Sequence, residues 1–291
     1  MAKILVTGAN GQLGNELRIV SMDDAKNTYL FTDVIELDIT DKDAVNYYFS
    51  VNKPDIIVNC AAYTAVDRAE SERERCNVIN VDAVRYLAEA SGREGCKMIH
   101  ISTDYVYGGC SNSPYSEDDI TMPQSVYGET KLAGEKVLLN INNASVVIRT
   151  AWLYSPFGKN FVKTMIALGK EREEINVVND QRGTPTYAAD LAKAIVTIID
   201  SREFIPGIYN FTDCGECTWY EFAKEIHTVF GIMGCRINPV TTDKYPSVAK
   251  RPVYSVLSKS KIMDNYKINI PDWKDSLKEC LLRIKGETNN G

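Results

Sequence analysis

The sequence lacks any apolar run approaching the roughly 18 uncharged residues that a membrane helix requires. Its first residues, Met1-Ala2-Lys3-Ile4-Leu5-Val6-Thr7-Gly8, lack the apolar length of a signal peptide and pass straight into a strand and loop. A soluble cytoplasmic protein with no membrane contact is expected. Excess positive charge is missing too. Lys and Arg number 33 against 39 Asp and Glu, a net charge of -6, which argues against a nucleic-acid partner because such proteins present a basic surface. That balance leaves small anionic substrates open, since a local pocket can be positive on an acidic protein.

Metal-type pairing of Cys and His is also scarce. Cys214 and Cys217 form a single C-x-x-C, with only His227 and Cys235 following within about 20 residues and at irregular spacing, where a structural zinc would want a second pair. The pair reads as a strand-to-helix turn. The eight cysteines are scattered, and Cys60, Cys96 and Cys280 lie in apolar segments, as reduced core residues do. There is no internal repeat, low-complexity tract or obvious linker, and the Asn289-Asn290-Gly291 end is expected to fray.

What is present is an alternation. Short apolar runs at Lys3 to Thr7, Tyr29 to Thr32, Asp55 to Asn59, Lys97 to Ile101, Ser145 to Arg149 and Gly207 to Phe211 read as strands. Between them Leu13 to Val20, Asp41 to Val51, Arg75 to Ser91, Ser125 to Leu139 and Ala188 to Asp200 read as helices, with Asp41 or Thr40 capping the second. Strands alternating with helices predict an α/β fold, a doubly wound parallel sheet of the Rossmann kind. Right-handed crossovers then gather the strand C-termini along one edge, so Gly8, Asp33, Ala61 and Ser102 should converge there although they are far apart in sequence. After about residue 150 the rhythm loosens into loop-like stretches such as Arg182-Gly183-Thr184-Pro185. The expected division is a dinucleotide-binding domain over 1–153, with segments near 158–170 and 186–204 returning to it. The remainder of 154–291 forms a smaller substrate lobe.

Gly8-Ala9-Asn10-Gly11-Gln12-Leu13-Gly14 spaces glycines three apart, directly after a strand and before a helix. Gly8 permits the turn, Gly11 lets the backbone approach a pyrophosphate, and Gly14 lets the helix sit close to the strand. The helix N-terminus offers free N–H groups to the anion. Asp33 stands about 20 residues beyond the loop, where a carboxylate meets the adenosine ribose hydroxyl and disfavours an extra phosphate. Arg18 is either a counterweight to that preference or an exposed surface charge, and Asp38, with Ile39 beside it, is either a surface acid or suited to a helix cap or an adenine contact.

Tyr127 and Lys131 stand four apart in a helical segment and so share a face. A positive charge nearby lowers the phenol pKa from about 10, so Lys131 is expected to lower that of Tyr127 and to hydrogen-bond a cofactor ribose. Tyr127 then donates a proton to a carbonyl oxygen as hydride reaches its carbon, while Thr103 (or Ser102) holds the same oxygen. Acid catalysis of this kind contributes roughly 10²–10⁴-fold.

The chain resembles the extended short-chain dehydrogenase/reductases and, among them, the dTDP-4-dehydrorhamnose reductases. The motifs that carry the resemblance run from Gly8-Ala9-Asn10-Gly11-Gln12-Leu13-Gly14 through Asn59-Cys60-Ala61-Ala62-Tyr63-Thr64-Ala65-Val66-Asp67 to Ser102-Thr103-Asp104-Tyr105-Val106-Tyr107. They continue with Tyr127-Gly128-Glu129-Thr130-Lys131, Arg149-Thr150-Ala151-Trp152-Leu153-Tyr154, Asp180-Gln181-Arg182-Gly183-Thr184-Pro185-Thr186 and Arg251-Pro252. The resemblance implies reduction of a 4-keto sugar nucleotide by NADPH or NADH. It implies Thr103, Tyr127 and Lys131 as catalytic. Gly8, Gly11, Gln12, Leu13, Gly14, Asp33, Asp38, Ile39, Ala62, Tyr63 and Thr64 then contact the cofactor, with Asp104 and Trp152 on the substrate. Some relatives hold a divalent cation between subunits. Glu16 matches one ligand of that site, but Ala189 stands where a glutamate is expected and Asp190 is displaced by one. No metal, and a monomer or weak homodimer, is therefore expected. Two other readings stay open: a nucleotide-sugar epimerase or dehydratase of the same fold, and a non-catalytic NADP-binding subunit resembling the regulatory subunit of methionine adenosyltransferase.

Overall fold

The computed structural model describes residues 1–245 and 247–289, so Asn290 and Gly291 of the end expected to fray lie outside the described residues. The order is β1 (Lys3–Thr7), α1 (Gln12–Ser21), β2 (Thr28–Thr32), α2 (Lys42–Asn52), β3 (Ile56–Asn59), α3 (Val66–Ala69), α4 (Arg73–Asn77), α5 (Ala83–Glu94), β4 (Lys97–Thr103), α6 (Val126–Ile141) and β5 (Val146–Thr150). It continues with β6 (Leu153–Tyr154), α7 (Phe161–Glu171), β7 (Glu174–Val178), β8 (Arg182–Gly183), β9 (Thr186–Tyr187), α8 (Ala188–Ile199), β10 (Gly207–Asn210), β11 (Cys217–Thr218), α9 (Trp219–Phe230), β12 (Arg236–Val240), α10 (Ser260–Tyr266) and α11 (Trp273–Asn289). No helix among the described residues is long and apolar enough to cross a membrane.

Six parallel strands form the main sheet in the order β10-β5-β4-β3-β1-β2. Ile4, Leu5, Val6, Ile57, Val58, Val146, Val147 and Ile148 are fully buried, as strands covered on both faces must be. One face packs under α1, α8 and α10 through Leu17, Leu191, Ile195 and Ile262. The other packs under α2, α5 and α6 through Val45, Phe49, Leu87 and Leu138. Asp41 caps α2 as expected, its Oδ1 accepting from the Asp43 and Ala44 N–H groups.

One element differs from the sequence reading. The helix expected over Arg75 to Ser91 begins at Arg73 and passes through a π-helical stretch at Val78–Asp82. Asn80 sits in that stretch and uses its amide to hold the loop after β3, which gives the extra residue a task. A second core lies between α7, α9, α11 and β7, where Val162, Met165, Ile166, Phe222, Ile226, Trp273 and Leu277 pack together.

Candidate active site

β2 and β3 lie on opposite sides of β1, so the strand order reverses there. A cleft of about 790 Å³ opens at the strand C-termini beside that switch point. Gly8, Gly11, Gln12, Leu13, Gly14, Asp33, Asp38, Ile39, Ala62 and Thr64 line it, and so do Thr103, Asp104, Tyr127, Lys131 and Trp152. Of the sequence-predicted residues, Tyr63 is not among the lining. Neighbours in an extended stretch point to opposite faces, and Tyr63 turns inward between Ala62 and Thr64. Its ring packs with Ala69, Cys76 and Val126, and its hydroxyl donates to Glu72 Oε2 at 3.0 Å.

The glycine loop is shaped to receive a diphosphate. Gly8 holds φ +64°, and a Cβ there would lie 2.7 Å from Ala61 N, so the segment after β3 can pass this close only to a glycine. No side chain caps α1 at Gly11, which leaves the N–H groups of its first turn facing the cleft. Asp33 braces the loop: its Oδ2 accepts the Asn10 N–H at 2.9 Å and its Oδ1 the Val34 N–H at 2.8 Å. Asp38 Oδ1 accepts from the Thr40 N–H and hydroxyl, forming a turn before α2. Arg18 lies outside the lining, its guanidinium 4.3 Å from the Phe31 ring centroid.

Tyr127 and Lys131 project from α6, whose N-terminus is capped by the Ser125 hydroxyl accepting the Gly128 N–H at 3.2 Å. Lys131 is buried, and burial draws its pKa down to about 8 against the pull of Glu135. Its Nζ donates to the Ile101 carbonyl at 2.7 Å and lies 3.2 Å from His100 Nε2. Tyr127 departs from expectation. Burial pushes its phenol up, a hydrogen bond with Thr103 pulls the other way, and Lys131 does not figure among the main influences. The lysine is committed to β4 instead of to the phenol. The Ser102 hydroxyl bonds Glu135 Oε1, and Glu135 pairs with Arg149 at 2.7 Å deep in the core. Thr103 is thus the member of the pair that meets Tyr127, while it also donates to Asp104 Oδ1 at 3.0 Å.

On the far side the cleft is made of side chains. Asp104 is buried, its Oδ2 has no hydrogen-bond partner among the described residues, and burial pushes its pKa to about 6 against the Ser255 and Thr103 hydroxyls. Trp152 holds φ 49°, a region costly for a bulky residue. Its indole stacks on Trp219 with centroids 3.5 Å apart and lies against Gly183, where a Cβ would come within 2.7 Å. Trp219 and Arg251 also line the cleft. Arg251 donates to Asp67 Oδ2 at 2.5 Å and to the Tyr105 hydroxyl at 3.2 Å. Sequence reasoning missed both. Arg251 belonged to a recognised motif without a role, and Trp219 opens an amphipathic helix whose other apolar residues are core.

Glu16 lies on the inner face of α1, fully buried, with both carboxylate oxygens accepting from Arg283 Nη1 at 3.0 and 2.9 Å. Ala189 is buried in the second core, and Asp190 is bonded to Lys193 and Ser276. Among the described residues no group of three His, Cys, Asp or Glu side chains is arranged to hold a metal ion. Cys214 and Cys217 are free thiols leading into α9.

The family described as RmlD substrate binding domain matches residues 2–285. A dTDP-4-dehydrorhamnose reductase of Aggregatibacter actinomycetemcomitans is 41% identical over 287 residues, 96% of this chain and 98% of its own. A solved dTDP-4-dehydrorhamnose reductase of Clostridium acetobutylicum superposes with a TM-score of 0.93 at 43% identity, covering 97% of this chain and 99% of that one. One from Bacillus anthracis, solved in complex with NADP, gives 0.93 at 40% identity with the same coverage.

Proposed function

The chain belongs to the RmlD substrate binding domain family, and from that membership we propose that it reduces the 4-keto group of dTDP-4-dehydro-β-L-rhamnose to give dTDP-L-rhamnose, using NADPH or NADH. One observation carries the reading: Thr103, Tyr127 and Lys131 share a single cleft with an uncapped, glycine-lined helix N-terminus.

The nicotinamide, when bound, supplies the hydride. Gly8 and Gly11 shape the loop against the diphosphate, Gln12, Leu13 and Gly14 offer it the N–H groups of the first turn of α1, and Asp33 accepts from the adenosine ribose. Ala62, Thr64 and Ile39 flank the cofactor, with Asp38 at its adenine end, and Tyr63 supports this wall from behind. Lys131 donates to the second ribose. Tyr127 gives its proton to the substrate oxygen, and Thr103 holds that oxygen. A phenol raised by burial stays protonated at neutral pH, which is the form an acid needs. Asp104, through its unpartnered Oδ2, and Trp152 hold the sugar.

The dinucleotide domain takes residues 1–153 with 186–204. The packing of Val162, Met165 and Ile166 in the second core favours giving 158–170 to the substrate lobe. A cytoplasmic monomer or weak homodimer fits eight free thiols and a Glu16 occupied by Arg283. The test is a purified-enzyme assay with the 4-keto sugar nucleotide and either cofactor. Sugar-dependent cofactor oxidation with formation of dTDP-L-rhamnose is expected. A cofactor that co-purifies, with no net oxidation, would instead indicate an epimerase or dehydratase.

A further inference from the structure

His100 sits in the middle of β4, fully buried, and no step of the proposed reaction uses it. Each ring nitrogen meets one side chain: Nδ1 lies 3.0 Å from Asn59 Nδ2, and Nε2 lies 3.2 Å from Lys131 Nζ. The far end of this chain of contacts decides which nitrogen carries the proton. Asn59 Oδ1 accepts the Ala61 backbone N–H at 3.2 Å and the Thr7 hydroxyl at 2.7 Å. A backbone N–H only donates, so the amide cannot be turned around. Asn59 Nδ2 therefore donates to His100 Nδ1, and a neutral ring whose Nδ1 accepts carries its proton on Nε2. The doubly protonated ring would set a second N–H against Asn59, and burial beside Lys131 already drives the His100 pKa well below its ordinary value. Nε2–H thus points at Lys131. An ammonium has three N–H groups and no lone pair to receive that hydrogen, whereas a neutral amine has one. The amine keeps two N–H groups, one for the Ile101 carbonyl and one for the cleft.

We propose, resting on the reductase reading, that His100 is a positioning residue whose Nε2–H biases Lys131 toward the neutral amine in the cofactor-free enzyme, so that Tyr127 keeps the proton it is to donate. The other groups facing Lys131 agree. Glu135, one turn along the same helix, would favour the ammonium, but Arg149 answers its charge at 2.7 Å. The thiols of Cys60, beyond β3, and Cys76, on α4, are both pushed up by burial, Cys60 to about 12, and stay neutral. Tyr127, on the same helix, is held as the phenol. Burial, opposed by Glu135, Cys76 and Cys60, leaves Lys131 at about 8, and a donor aimed at its nitrogen pushes in the same direction as burial.

The test reads protons before it reads turnover. The protein has two histidines, His100 and His227, so ring ¹⁵N spectra of the intact enzyme can be assigned against His100→Phe. The expected wild-type spectrum shows His100 with bare Nδ1 and protonated Nε2, and ¹³C-labelled Lys131 (assigned with Lys131→Met) titrates at or below about 8. In His100→Phe the Lys131 midpoint rises by about one pH unit or more, and in His100→Gln, whose amide N–H can stand in for Nε2–H, it falls back. Loss of polarity alone would lower the midpoint, so the sign separates the two causes. An Nδ1–H tautomer, a Lys131 still charged at about pH 9.5, or a midpoint unmoved or lowered in His100→Phe overturns the proposal. In turnover, the alkaline limb of kcat/KM should move to lower pH in His100→Phe and return in His100→Gln. Should the wild type show the tautomer and the midpoint but reduce no ketone, the His100–Lys131 assignment is supported and the reductase reading is refuted.

Discussion

The two sides of the cleft are built by opposite means. The side proposed to hold the nucleotide is backbone: the loop Gly8 to Gly11 leads into the uncapped first turn of α1, and Gly8 lets Ala61 come to 2.7 Å from where a Cβ would stand. The side proposed to hold the sugar is side chains drawn from distant segments, with Asp104 following β4, Trp152 following β5, Trp219 opening α9 and Arg251 beyond β12. The nucleotide side is relaxed once its glycines are in place. The sugar side stores cost, in a tryptophan at φ 49° and a carboxyl buried without a full set of partners. On the proposed reading, a shared cofactor is held by a generic cradle, whereas choosing one sugar takes groups held at a cost.

The largest effect is expected where the two sides meet. Tyr127→Phe should lower kcat/KM by at least about 100-fold while leaving the cofactor Kd unchanged. Steady-state kinetics with fluorescence titration of NADPH would check both, and retention of more than about a tenth of the rate would remove Tyr127 from the acid role.

The stored cost on the sugar side is itself measurable. Asp104 goes from an ordinary 3.8 to about 6 on burial. A raised carboxyl contributes stability below the unfolded pKa, and that contribution is lost as pH rises through the folded one. Asp104→Asn should therefore stabilise the fold, and by about 2 kcal/mol more at about pH 8 than at about pH 4.5. Urea unfolding at the two pH values tests this, and equal gains at both would mean that the carboxyl is not shifted. Sugar binding should weaken in the same variant, since Oδ2 is the free acceptor.

The contrast also explains what could be read in advance. The parallel sheet, the Asp41 cap, the glycine loop and the shared face of Tyr127 and Lys131 all rest on spacings of a few residues, which the sequence displays directly. Trp219 beside Trp152, Asp67 on Arg251 and His100 under Lys131 are contacts between segments far apart in the chain, and no local pattern marks them. The π-helical stretch at Val78–Asp82 hid for a related reason: Asn80 is placed there to hold the loop after β3, a tertiary task invisible in the helix's own periodicity. Tyr63 hid through register, being flanked by two lining residues and turned the other way.

Smaller effects should separate cleanly by side. Trp219→Leu removes the stack beneath Trp152, and an aromatic pair contributes about 1 kcal/mol beyond its buried area, so the sugar-nucleotide KM should rise about fivefold to tenfold with the cofactor Kd unmoved. Asp33→Ala should do the reverse, shifting preference from NADH toward NADPH by several-fold with the sugar KM unmoved, although losing the Asn10 brace should also loosen the loop. Cofactor affinity that changes as much as sugar affinity in Trp219→Leu would break the comparison.

The smallest expected effect is none. The Glu16–Arg283 pair joins α1, which carries the nucleotide loop, to α11, which belongs to the second core, and so links the elements behind both sides. A hard cation needs several oxygen ligands in a tight, near-octahedral arrangement. Here both Glu16 oxygens are already taken by Arg283, Ala189 offers no ligand, and Asp190 is engaged with Lys193 and Ser276. Reduction should therefore continue unchanged in excess EDTA, and added Mg²⁺ should not raise the rate. Arg283→Met should be costly in a different currency. It strands a fully buried carboxylate whose pKa burial already raises, and breaking such a pair costs about 3–5 kcal/mol. Thermal unfolding of Arg283→Met beside Glu16→Gln/Arg283→Met measures it, the double variant recovering most of the loss because no charge is left unanswered. Activity lost in EDTA and restored by Mg²⁺, or a double variant as unstable as the single one, would show that Glu16 answers to something other than Arg283.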